Sequence, residues 1–219
     1  MVMMSKTFRK NTVPQTLSNF DPQGKLGLNI GGDVFTERPG AAIWIAKLMA
    51  LWSSNENLLG SVFCEALGAA RMPAAAMYQA LYSSSAQIDT ATAAILTCFP
   101  EQQKKDILIA TVNLLKKAKK ERNKLAHWLY CYCYEHHDFI VLIPPQHVLA
   151  HFHLNLSQAE TNKMRSNAYI YDTSEFSQIY DQFELVQKCL QRLFSYFRDG
   201  DQLALDDLRS ILSNSATLK

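Results

Sequence analysis

The chain has 219 residues, 48% of them hydrophobic and 19% charged, a balance that supports a buried core and excludes a disordered chain. A formal net charge of +2 is too small for whole-molecule attraction to nucleic acid, so such a partner must meet a local basic patch. The cysteines Cys64, Cys98, Cys131, Cys133 and Cys189 form an odd, irregularly spaced set, as expected of reduced thiols in a cytoplasmic protein. Met1 to Lys10 contain no apolar run of signal-peptide length, and the most apolar segment, Ala41 to Leu51, is too short to span a bilayer. Neither export nor membrane association is expected.

Residues 1–40, broken by Gly31-Gly32 and Pro39-Gly40, read as an irregular N-terminal arm with one short-strand signal over Leu26-Gly27-Leu28-Asn29-Ile30. Residues 41–213 read as one helical domain and 214–219 as a polar tail. From Ala41 to about Leu67, apolar residues including Trp44, Leu48, Trp52, Leu59 and Phe63 surround much of a helix and predict a buried central one. Met72-Pro73 opens a helix predicted to run to Phe99-Pro100, where proline ends it. A third helix begins near Glu101 and carries Ile107, Leu108, Val112 and Leu115 to about His127.

After His127 the apolar period falls to two: Tyr130, Tyr132 and Tyr134 alternate with Leu129, Cys131 and Cys133, and Phe139 to Ile143 precede Pro144-Pro145. This predicts a β-hairpin at about 129–143, with the tyrosines in a structural role. Ala168 to Tyr171 signal a further short strand, and Asp172 with Glu175 resembles a capping box. Phe176, Ile179, Phe183, Val186, Leu190, Leu193 and Phe197 then form a helical stripe that Arg198-Asp199-Gly200 stops, and a last short helix covers about Leu203 to Leu212. The predicted fold class is mainly α, a helical bundle with a small β-hairpin inserted after the third helix.

Basic residues concentrate in that third helix: Lys104, Lys105, Lys116, Lys117, Lys119, Lys120, Arg122 and Lys124 stand against only Asp106 and Glu121. Lys116, Lys117, Lys119, Lys120 and Lys124 are the candidate RNA contacts, although a solvated helix face accounts for the same run. The run ends in Glu121-Arg122-Asn123-Lys124-Leu125-Ala126-His127-Trp128. Asn123 and His127 are four residues apart and share a helix face; Arg122 lies one residue off it and needs its long side chain to reach the same space. A guanidinium offers fixed donors to phosphate oxygens, and a histidine with an ordinary pKa of about 6.5 moves protons near neutrality. Together they suit RNA cleavage without metal. Cys131-x-Cys133, His136-His137 and His147-x-x-x-His151-x-His153 lack the usual zinc spacing, so no metal or cofactor is expected.

The Arg122-Asn123-x-x-x-His127 segment resembles the R-x(4–6)-H signature of the HEPN superfamily. Trp52-x-x-x-Glu56-x-x-Leu59, the long helix leading into the motif and the strands after it also resemble bacterial HEPN-like proteins, over roughly residues 41–200. The resemblance implies a HEPN-like helical bundle acting as a homodimer in which two motifs face each other. It also implies a metal-independent endoribonuclease of a toxin or defence system, kept in check by an antitoxin or regulatory protein. Arg122, Asn123 and His127 are the catalytic residues so implied. His127 moves the proton of an attacking ribose 2′-hydroxyl, Arg122 stabilises the phosphorane and Asn123 orients them, leaving a cyclic phosphate and a free 5′-hydroxyl. The alternative is a non-catalytic HEPN-like dimer that binds RNA, a nucleotide or a protein. The sequence departs from the family in carrying Trp128 where glycine is common after the histidine, and in placing its tyrosine at Tyr130, one position later than in the H-x-Y subgroup.

Overall fold

The computed structural model describes residues 14–31, 33–68, 71–99, 101–147 and 157–216. The expectations for Met1 to Lys10, and for His151 and His153, fall outside those residues. In chain order the elements are α1 (Leu17–Phe20), β1 (Asn29–Ile30), α2 (Val34–Glu37), α3 (Pro39–Ala66), α4 (Arg71–Gln79), α5 (Ser84–Cys98) and α6 (Gln102–His127). Then follow β2 (Leu129–Cys133), β3 (His136–Ile143), α7 (Gln158–Asn167), β4 (Tyr169–Asp172), α8 (Thr173–Asp199) and α9 (Gln202–Ala216). The chain is mainly helical with a small antiparallel four-stranded sheet. Among the described residues no helix is long and apolar enough to cross a membrane. Two compact units emerge, both discontinuous: a sheet unit of Met1–Ile45 with Asn123–Gln178, and a helical unit of Ala46–Arg122 with Ile179–Lys219.

In the sheet unit the strands lie in the order β1-β2-β3-β4. The alternation after His127 produces the expected hairpin, with Cys131 opposite Val141, and Val141 in turn opposite Ile170. A register shift between Cys131 and Cys133 marks a bulge. One face buries Cys131, Val141, Ile143 and Ile170 against Leu17, Met164 and Ala168. The neighbouring residues Ile140, Leu142 and Tyr171 are buried too, which is why β3 reads as a continuous apolar run. The glycine-punctuated stretch before α2 is built into this unit. Leu17 N donates to Ala168 O at 2.8 Å, Ile170 N donates to Gln15 O at 2.9 Å, and Asp21 forms an ion pair with Arg165. Partners so distant along the chain leave no trace in a local reading of glycine and proline.

The helical unit is held by apolar faces at helical spacing. α3 buries Leu48, Trp52, Asn55, Leu59, Val62 and Phe63, one face only, so it is not the wholly buried helix that its composition suggested. α4 packs closely on α3 at Gly60, where a Cβ would lie 2.9 Å from Tyr78 Cε1. The single helix expected over residues 72–99 is two, because Ser83 caps a new start by accepting from the Ala86 amide at 3.1 Å. On α8, Ile179, Phe183, Val186, Leu190 and Leu193 are buried. The Phe183 ring meets Trp52 at 5.6 Å, and Phe99 sits 5.6 Å from Tyr196 and 5.2 Å from Phe197. α9 continues past Leu212 to Ala216, and Arg192 ties it to α8 through Asp207 at 2.6 Å.

Two outcomes are expected. Asn55 is fully buried and its amide donates to Phe183 O at 2.9 Å, so Asn55→Ala should cost about 1–3 kcal/mol in urea denaturation. Burial alone would raise the Asp21 carboxyl, but the Leu26 and Lys25 amides and Arg165 outweigh it and hold the group below its ordinary 3.8. A carboxylate depressed in the folded state contributes stability above its unfolded pKa and loses it as pH falls through the folded value. Acid titration should therefore show a shallower stability loss below 3.8 in Asp21→Asn than in the parent.

Candidate active site

α6 runs unbroken from Gln102 to His127. It starts where the Lys104 and Lys105 amides bond to Glu101 O, and its last turn closes with the Trp128 amide on Lys124 O at 3.0 Å. Arg122 is the last residue of this segment in the helical unit, whereas Asn123 and His127 belong to the sheet unit. Arg122 is half-buried with its Nε inside the surface. Asn123 is half-buried, and both residues make further contacts. His127 ends the helix exposed. At about 100° per residue, Asn123 and His127 stand about 40° apart around the axis, and Arg122 and His127 about 140° apart. One helix therefore gives Asn123 and His127 a common face and sets Arg122 on another.

The five candidate RNA-binding lysines have different surroundings. Lys116 pairs with Asp89 of α5 at 2.8 Å, and Lys119 hydrogen-bonds the Ser85 hydroxyl of the same helix. Lys117 and Lys120 are exposed. Lys124 Nζ lies 4.5 Å from the Tyr169 ring centroid and 5.8 Å from that of Trp128, with the two rings 5.8 Å apart. Cation–π contacts at such partly exposed sites contribute about 0.5–1 kcal/mol each. Lys124 is thus seated on two aromatic rings beside His127.

A second aromatic residue fixes the helix end. The Tyr130 hydroxyl donates to Leu125 O, one of the terminal carbonyls that a helix cannot satisfy internally. Burial pushes the Tyr130 hydroxyl up to about 12, so it stays a proton donor at ordinary pH. Leu125 itself is buried, which anchors the turn from the other side. Sequence reasoning had given Tyr130 and Tyr169 no part in this site. The period change after His127 put Tyr130 within reach of the helix end, but nothing in the sequence pointed Tyr169 toward Lys124.

Tyr130→Phe should lower stability by about 0.5–1.5 kcal/mol, with faster amide hydrogen exchange confined to the last turn of α6. An unchanged exchange pattern would mean that the Tyr130 bond does not hold that turn. Comparison with protein-family models, with curated proteins and with solved structures found no match to this chain.

Proposed function

We propose that the chain is a metal-independent endoribonuclease of the HEPN type, acting in the cytoplasm as a toxin or defence enzyme. The observation that supports this reading most directly is His127 exposed at the carboxyl end of α6, with Asn123 one turn earlier on the same face. Exposed Lys117 and Lys120 lie upstream on that helix to meet phosphates. The reading calls for a homodimer: about 140° of helix separates Arg122 from His127 within one chain, and a two-fold pair of motifs offers each histidine a second arginine. In such a site His127 takes the proton of the ribose 2′-hydroxyl, Arg122 stabilises charge on the phosphorane, and Asn123 orients the two. The products are a cyclic phosphate and a free 5′-hydroxyl. An antitoxin or other regulatory protein is the partner this role calls for.

A second reading, a non-catalytic dimeric module binding RNA, a nucleotide or a protein, draws support from Lys116, Lys119 and Lys124, which are already engaged within the chain. The deciding experiment incubates purified protein with total RNA in excess chelator. The parent should cleave, and His127→Ala and Arg122→Ala should each lose a hundredfold to a thousandfold in rate, the usual effect of removing one stabiliser of a charged transition state, about 3–4 kcal/mol. Lys117→Ala should weaken binding and flatten its salt dependence without changing the product. Light scattering should report twice the chain mass of 24.8 kDa. Cleavage that survives His127→Ala, or no cleavage by the parent, would leave the binding module as the better account.

A further inference from the structure

His127 stands next to two aromatic rings that share a cation. Trp128 follows it directly, with its backbone fixed by the amide bond to Lys124 O at 3.0 Å. Tyr169 is fixed as well, since β4 pairs it with Leu142 on one side and a bridge joins it to Thr16 on the other. The two ring centroids lie 5.8 Å apart at an interplanar angle of 38°. Lys124 Nζ sits 4.5 Å from the Tyr169 centroid and 5.8 Å from that of Trp128, which leaves Trp128 the less covered ring. Lys124, His127, Trp128 and Tyr169 all belong to the sheet unit.

This cluster lies at the surface. Trp128, Tyr169 and Lys124 are half-buried, whereas Ala168, Ile170 and Tyr171 around Tyr169 are buried. Among the described residues the Trp128 indole N–H and the Tyr169 hydroxyl are neither hydrogen-bonded nor sealed from solvent, so both rings keep a polar group open. A ring face with a cation at its edge and donors at its rim matches a nucleotide, which brings a π-face for stacking and a phosphate for charge. In a duplex each base is already stacked between its neighbours, so only an unpaired nucleotide has a face to offer.

We propose that Trp128, Tyr169 and Lys124 form a subsite for an unpaired nucleotide beside the cleaved bond, which makes single-stranded RNA the substrate of this site. The base stacks on Trp128, Tyr169 backs that ring and holds Lys124, and Lys124 meets the phosphate. The subsite rests on the reading of His127 as the group that moves the proton, because that reading places the scissile bond here.

The test uses the full chain carrying His127→Ala, so that binding is measured without cleavage. A labelled RNA strand without self-complementarity, the same strand in a duplex, and a fully abasic strand of equal length are titrated by fluorescence anisotropy. The single strand should bind about tenfold more tightly than either of the others, the usual worth of a stacked base. Adding Trp128→Leu should remove that advantage, whereas Trp128→Phe, which keeps a ring, should preserve most of it. Affinity for the abasic strand should be the same with and without Trp128→Leu, a result that a merely structural ring would not give. Circular dichroism checks that the variants fold. No binding of the single strand, equal binding of strand and duplex, an affinity unchanged in Trp128→Leu, or a loss as large in Trp128→Phe would each overturn the subsite. These outcomes leave the catalytic reading to be judged by RNA cleavage in the parent. If the parent cleaves nothing, that reading fails and the three titrations still decide the subsite.

Discussion

The sheet unit depends on a buried guanidinium. Taking an ion out of water costs several kcal/mol unless its hydrogen bonds are replaced, and Arg38 replaces two of them with carbonyls at the β2–β3 turn, Cys133 O and His136 O, and a third with Glu37 O. The first two carbonyls flank Tyr134 and Glu135, where the hairpin reverses just beyond its bulge. A planar fork suits two neighbouring acceptors in a way that a lysine ammonium does not. The same residue stands between α2 and α3, so a single side chain sets where the long helix begins relative to the hairpin. Tyr132 supports it from below, and the Tyr132 hydroxyl accepts from the Asn29 amide at 2.8 Å, which brings β1 into the same network.

The three alternating tyrosines show what a sequence pattern can and cannot convey. Alternation placed Tyr130, Tyr132 and Tyr134 on a strand in a structural role; Tyr130 and Tyr132 do lie on β2, whereas Tyr134 falls in the exposed turn that follows it. Their individual tasks differ: Tyr130 closes the end of α6, Tyr132 carries Arg38, and Tyr134 shares the Asn29 amide. Periodicity reports which way a side chain leaves the backbone and is silent about what waits there. The lysine run is a similar case. Its spacing says that the side chains leave α6, but Asp89, Ser85 and the Tyr169 ring determine which of them turn back onto the protein.

At the level of elements, α6, the β2–β3 hairpin and α8 were legible because each rests on a sustained period and a clear stop. The Asp172–Glu175 capping box was legible for the same local reason, and the structure has both halves of it, with the Asp172 amide donating to Glu175 Oε2 at 3.0 Å and Asp172 Oδ1 accepting from the Glu175 amide at 3.2 Å. The break between α4 and α5 was missed because a serine run inside an apolar segment competes weakly with periodicity until its cap is seen. The division into two discontinuous units was not legible at all. It arises from pairings such as Asp21 with Arg165 and Gln15 with Ile170, which tertiary structure decides and no window of sequence contains.

Those pairings have a consequence for the chain as it is made. Leu17, Phe20, Leu26 and Leu28 find their cover only when the β2–β3 hairpin and then Met164, Ala168 and Ile170 arrive, after the whole of Ala46–Arg122 has been synthesised. At a translation rate of about 5–20 residues per second, the emerging N-terminal segment would hold these apolar side chains in water for several seconds before the hairpin exists. During that interval the segment is a natural substrate for a holding chaperone or, in its absence, a nucleus for association between nascent chains.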